Sequence, residues 1–180
     1  MVASSSGEAA IPVILIVAGP NGAGKTTFAT RWINDSAPDF AFVNADEVAR
    51  ELPPGLSPAE RDMRAGRLML TRLDALIAAR ADLVLETTLS SRLYAKRIPE
   101  WRAAGYDVEL VYVRLPDVET SIARVAHRVR LGGHGVPEPD LRRRFGRSLA
   151  NLELYKPLVD RWQVWDSRPN EAILADRSQP

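Results

Sequence analysis

The octet Gly19-Pro20-Asn21-Gly22-Ala23-Gly24-Lys25-Thr26 constrains this chain more than any other stretch of it. It matches G-x-x-x-x-G-K-[ST] at every fixed position. The context is also right. The run Pro12-Val13-Ile14-Leu15-Ile16-Val17-Ala18 reads as a short strand buried on both faces, and a helix is expected from about Lys25 to Trp32. Glycines let the backbone curl until successive N–H groups point into a concavity of phosphate size. Lys25 offers a charge to the β- and γ-phosphates, Thr26 offers its hydroxyl to Mg²⁺, and the helix N-terminus adds partial positive charge. The expected nucleotide contacts are Gly19, Asn21, Gly22, Ala23, Gly24, Lys25, Thr26 and Thr27, with ATP or GTP and Mg²⁺ as ligands.

Further apolar runs follow at intervals that leave room for helices. Phe40-Ala41-Phe42-Val43, Leu83-Val84-Leu85, Val108 to Val113 and Trp162-Gln163-Val164-Trp165 read as strands. Between them, helices are expected from Ser57-Pro58 (N-cap and first position) to about Arg80, from Arg92 to Ala104 with Gly105 closing it, and from Pro137 to Leu152. Met63, Leu68, Leu70, Leu73, Leu76 and Ile77 are expected to supply the apolar surface of the first of these. Val118, Ile122, Val125 and Val129 form one more helical stripe. The alternation predicts an α/β fold of the P-loop NTPase kind: a parallel sheet of about five strands, helices on both faces and a small helical lid. Residues 1–10 read as a frayed terminus, and 11–180 as one domain with an arginine-rich lid at about 124–147.

Composition excludes several classes. A net charge of +1 gives no bulk case for nucleic acid or membrane binding. The longest apolar run, Ile11 to Ala18, is too short to cross a bilayer and lacks the basic flank of a signal peptide. With no cysteine there are no disulfides or thiolate metal sites, which fits action in a reducing cytoplasm.

Ligands of open α/β sheets sit beyond the carboxyl ends of the strands. Asp46 and Glu86 fall there. Asp46 is the candidate to take a proton from an acceptor hydroxyl or to hold a metal-bound water, against the alternative that it merely caps a helix beginning at Glu47. Glu86 and Thr88 are candidates to grip acceptor hydroxyls. From Arg124 to Arg147 there are seven arginines and only two acids, Glu138 and Asp140. Arg124 and Arg128 share a helix face turned from the apolar stripe. Gly132-Gly133-His134-Gly135 reads as a flexible joint, with His134 a hinge or lid contact. On the next helix Arg142 and Arg144 flank the expected buried face of Leu141, Phe145, Leu149 and Leu152, while Arg143 points away. Two hinged helices presenting guanidinium groups describe a lid over a transferring phosphoryl group.

These segments together resemble the zeta-toxin-like P-loop kinases, in particular their compact bacterial group. The resemblance rests on Gly19 to Thr27, Asn44-Ala45-Asp46-Glu47, Glu86-Thr87-Thr88, Arg124 to Val129, Gly132-Gly133-His134 with Val136-Pro137, Arg142 to Phe145, and Ser148 to Asn151. It implies a kinase using ATP or GTP, a possible partner antitoxin, and an acceptor that in the zeta toxins is the sugar hydroxyl of UDP-N-acetylglucosamine. By motif position Asp46 resembles the family's proton acceptor, Glu86 and Thr88 its acceptor-binding pair, and the arginines its phosphate clamps. The chain lacks the long insertions of the larger toxins, and Asp166-Ser167 stands where an asparagine is expected between Asp and Ser. A nucleotide-dependent switch without acceptor and a nucleic-acid-end kinase are the competing readings. The switch needs no second pocket beside Asp46, and the end kinase needs an aromatic stacking platform that the arginine segment does not carry.

Overall fold

The computed structural model describes residues 10–168 and 171–179, so all but the last residue of the expected frayed terminus lies outside the described residues, as does Pro169 after the last expected strand. The elements run β1 (Val13–Ala18), α1 (Lys25–Ser36), β2 (Ala41–Asn44), α2 (Ala45–Arg50), α3 (Pro58–Ala78), β3 (Leu83–Thr87), α4 (Leu93–Ala103), β4 (Asp107–Arg114), α5 (Val118–Arg130), α6 (Glu138–Tyr155), β5 (Arg161–Ser167) and β6 (Ala172–Arg177). The sheet order is β2-β3-β1-β4-β5-β6. β2 to β5 lie parallel, and β6 is an antiparallel edge strand absent from the sequence-based expectation of about five.

Strand alternation sorts the core into two layers. Ile14, Ile16, Leu83, Leu85 and Leu110 face α3, α4 and α6, whereas Leu15, Val17, Val84, Val111 and Val113 face α1. α3 begins where its sequence says, on a capping box: the Ser57 side chain accepts from the Glu60 N–H, and Glu60 accepts from the Ser57 N–H. Three expected core positions are exposed. Met63 lies on the outer face of α3, whose buried side chains are Ala65, Met69 and Leu73, and Val129 lies on the last turn of α5. Leu149 gives way to Ser148, which is fully buried because its hydroxyl pairs with that of Tyr112 at 2.9 Å.

Candidate active site

Alternation also decides where Glu86 points. In β3 it follows Leu85 and shares the face of Val84, so it lies on the α1 side, beside Val17 of β1 and Asn44 of β2 in the register. There its Oε2 accepts from the Thr26 hydroxyl at 2.8 Å and from the Asn44 amide at 2.6 Å, and its Oε1 stands 4.0 Å from Lys25 Nζ. Lys25 donates to the Pro20 carbonyl at 3.0 Å. Glu86 and Lys25 are only 11% and 7% exposed, so each perturbs the other. Burial pushes the Glu86 carboxyl above the usual range, opposed by Lys25 and by the Thr26 and Asn44 hydrogen bonds. Burial lowers Lys25, opposed by the charges of Glu86 and Asp46. The structure thus ties Glu86 to the phosphate loop.

Asn44 was quoted in the resemblance and given no role, yet it organises this corner. Its Oδ1 accepts the Asp46 N–H at 2.7 Å, making Asn44 the N-cap of α2. The capping alternative for Asp46 is therefore filled by another residue. The Asp46 carboxylate is exposed, lines the cleft, and makes no hydrogen bond or ion pair among the described residues.

Beyond Glu86 the chain turns sharply. Leu89 is fully buried with a left-handed φ of 57°, and Asn151 of α6 holds it by donating to its carbonyl at 2.8 Å. The Thr88 and Ser90 hydroxyls pair at 2.9 Å, which sets Thr88 on the cleft wall.

The arginines divide. Arg124 donates to the Ser167 hydroxyl at 2.7 Å and to the Gly22 carbonyl at 3.4 Å, linking the phosphate loop to the end of β5. At Gly22 an added Cβ would stand 3.1 Å from the Arg124 Cβ, so α5 packs directly on the loop. Arg128 donates through Nη2 to the His134 carbonyl at 2.8 Å, while its buried Nε has no partner among the described residues. The expected glycine joint is a Schellman motif. The Gly132 N–H bonds to the Val129 carbonyl and the Gly133 N–H to that of Arg128, with Gly132 left-handed at φ 85°. Arg144 lines the cleft beside Arg124, Arg128 and His134. Arg142 does not. It pairs with Glu119 of α5 and Glu138 of its own helix, and so clasps the two lid helices from outside. Arg143 pairs with Asp140.

The cleft enclosed by these groups has a volume of about 1070 Å³, at the upper end of small-molecule sites. Its donors suit Mg²⁺ carried in with a nucleotide: Thr26 and Glu86 offer hard oxygens, and no cluster of three His, Cys, Asp or Glu residues is found among the described residues.

A parallel sheet whose first strand runs into a glycine loop and helix, with strand-end carboxylates and an arginine-bearing helical pair across the cleft, defines the fold of a P-loop kinase. The chain belongs to the zeta toxin family, whose profile matches residues 3–171. A protein of Haemophilus influenzae, described as uncharacterized, is 30% identical over 127 residues, 71% of this chain and 88% of that one. Among solved structures the fold is similar to that in the PezAT chromosomal toxin–antitoxin system of Streptococcus pneumoniae (TM-score 0.66, 18% identity, 90% of this chain and 70% of that one). It is also similar to the AvrRxo1-ORF1:-ORF2 complex with ATP (TM-score 0.71, 19% identity, 94% and 59%). No helix among the described residues is long and apolar enough to cross a membrane.

Proposed function

We propose that this chain transfers the γ-phosphoryl group of ATP or GTP to a hydroxyl of a small molecule. The observation that carries the reading is the reach of the cleft. It continues past Asp46 to Asp62 and Met69 of α3 and Tyr94 of α4, room that a nucleotide switch does not need.

In this reading the acceptor oxygen bonds to the γ-phosphorus as the bond to the bridging β–γ oxygen breaks. The nucleoside diphosphate leaves, and the hydroxyl proton passes to Asp46. Asp46 suits the role because its carboxylate is uncommitted among the described residues. Lys25, Arg128 and Arg144 stabilise charge on the transferring group. Arg124, with Ser167 and Gly22, positions the loop from the β5 side. Thr26 and Glu86 would hold Mg²⁺, with Asp46 reaching it through water; when bound, the ion neutralises charge on the β- and γ-oxygens. Thr88 and His134 line the same cleft and suit acceptor contacts.

Dependence on ATP supports a cytoplasmic site of action. The family and the toxin–antitoxin neighbour support a toxin held in check by a protein antitoxin. Asp46→Asn tests the chemistry: nucleotide affinity should stay, and transfer should fall by roughly 10²-fold or more. Growth inhibition by the wild type should be relieved in the variant at matched expression. Undiminished turnover in Asp46→Asn refutes the assignment.

A further inference from the structure

Arg144, Ser148, Asn151 and Tyr155 stand 4, 3 and 4 residues apart, so together they form one stripe along α6. Arg144 lines the cleft at one end of that stripe. The other three are buried: Ser148 and Tyr155 fully, and Asn151 at 5% exposure. Leucines at these positions would serve packing as well. A buried hydroxyl or amide costs stability unless it finds a partner, so three of them on one helix face specify geometry.

Each of the three has a partner, and two of them hold the same segment. Ser148 pairs with Tyr112 of β4 at 2.9 Å, which fixes the helix on the sheet. Asn151 donates to the Leu89 carbonyl at 2.8 Å and accepts from Arg92 Nε at 3.4 Å. The Tyr155 hydroxyl donates to the Ser91 carbonyl at 2.9 Å and accepts the Ala95 N–H at 3.0 Å. These bonds fall on the turn between β3 and α4 and on the first turn of α4, the stretch that sets Thr88 on the cleft wall. The turn is strained, because Leu89 holds a left-handed φ of 57°, which a residue with a Cβ adopts at a cost. Thr87 Oγ1 accepts the Leu89 N–H at 3.2 Å, but the Leu89 carbonyl depends on α6.

We propose that Asn151 and Tyr155 are positioning residues for phosphoryl transfer, through which α6 ties the acceptor-side turn to the arginine that faces the nucleotide. The proposal rests on the phosphotransfer reading above, in which Arg144 meets the transferring group and Thr88 the acceptor. Asn151 follows Arg144 by two helical turns, about 10 Å along the axis, a spacing that a helix keeps rigidly. A nucleotide engaging Arg144 therefore restrains α6, and α6 restrains the turn that presents the acceptor hydroxyl. Neither Asn151 nor Tyr155 touches a ligand; each acts through the backbone of the turn. Such a tie matters to transfer, since a misplacement of about 1 Å between reacting groups costs on the order of 10²-fold in rate.

Hydrogen exchange on the intact protein, with and without the non-hydrolysable ATP analogue AMP-PNP and Mg²⁺, tests the tie without an acceptor. In the wild type AMP-PNP should slow exchange of the amides of residues 88–95 by about fivefold or more. In Asn151→Ala the affinity for AMP-PNP should be unchanged and that slowing should be lost. Tyr155→Phe keeps the ring in the core and removes only the hydroxyl; it should lose most of the slowing too, and it decides the matter where Asn151→Ala fails to fold. A merely structural brace gives a different pattern, with exchange faster in both variants but slowed by AMP-PNP by the same factor as in the wild type. That pattern, or no slowing in wild-type protein that binds AMP-PNP, overturns the proposal and leaves the kinase reading to the Asp46→Asn assay. Wild-type protein that does not bind AMP-PNP overturns both.

Discussion

Replacing Asn44 with alanine should damage this protein well beyond what a residue at the end of a short strand suggests. Two bonds are lost at once. The cap on α2, in which Oδ1 accepts the Asp46 N–H at 2.7 Å, contributes about 1 kcal/mol. The amide bond to Glu86 at 2.6 Å, made to a carboxylate at a buried corner, contributes about 1.5–3 kcal/mol. Because one side chain makes both bonds, the terms are not strictly additive, and the expected destabilisation is about 2–4 kcal/mol, a Tm drop of roughly 5–15 °C for a chain of this size. Urea denaturation of the ligand-free protein measures it. Asn44→Asp separates the parts: it keeps the cap but sets a second carboxylate against Glu86, so it should be no more stable than the alanine variant near neutral pH and should recover on mild acidification. A loss below about 1 kcal/mol for Asn44→Ala, or wild-type stability for Asn44→Asp, would refute the argument.

The remaining expectations concern the lid and the buried pair. Arg128→Ala should lower kcat by about 10²–10³-fold, whereas Arg143→Ala, which removes only an exposed pair with Asp140, should leave it nearly unchanged; equal losses in steady-state assays would mean a generic basic surface. In Gly133→Ala the new Cβ would stand 2.6 Å from Arg128 Cγ and 3.0 Å from its carbonyl oxygen, so turnover should fall by about 10–100-fold as the guanidinium shifts. Gly146→Ala, with open space around it, should not share that loss. Glu86 has a raised pKa in the fold, so the native state binds the extra proton. Its contribution is fully present below the unfolded pKa, about 4.3, and is lost as pH rises through the folded value. Denaturation midpoints across that interval should decline with pH, and Glu86→Gln should flatten the decline.

The fold was largely legible because β1, Leu83 to Leu85 of β3 and Leu110 to Val113 of β4 are buried on both faces and so read as apolar runs. β6 was not: of its six residues the last four are exposed, leaving only a short apolar signal at the edge of the sheet. The phosphate loop was legible for the same reason that it works, since its chemistry is local. What failed to show was chemistry assembled across the chain. The partner of Asn44 lies 42 residues away at Glu86, and the clasp that draws Arg142 outward comes from Glu119 on another helix. Helical angles gave Arg142 a direction without revealing that a carboxylate waited there. Leu149 was the expected buried residue, and Ser148 takes its place because the Tyr112 hydroxyl that makes its burial tolerable comes from 36 residues earlier.

The Glu86 corner also audits strand pairing. Its partners come from the loop after β1 and from β2, and they meet only when Asn44 stands opposite Glu86. A slip of β2 by one residue would bring Val43 opposite Glu86, turn Asn44 to the other face, and leave a largely buried carboxylate without its amide. Short apolar strands such as Ala41-Phe42-Val43 could settle into neighbouring alignments at little hydrophobic cost. The polar corner makes such alignments expensive, so chains that mispair β2 forfeit stability along with the site.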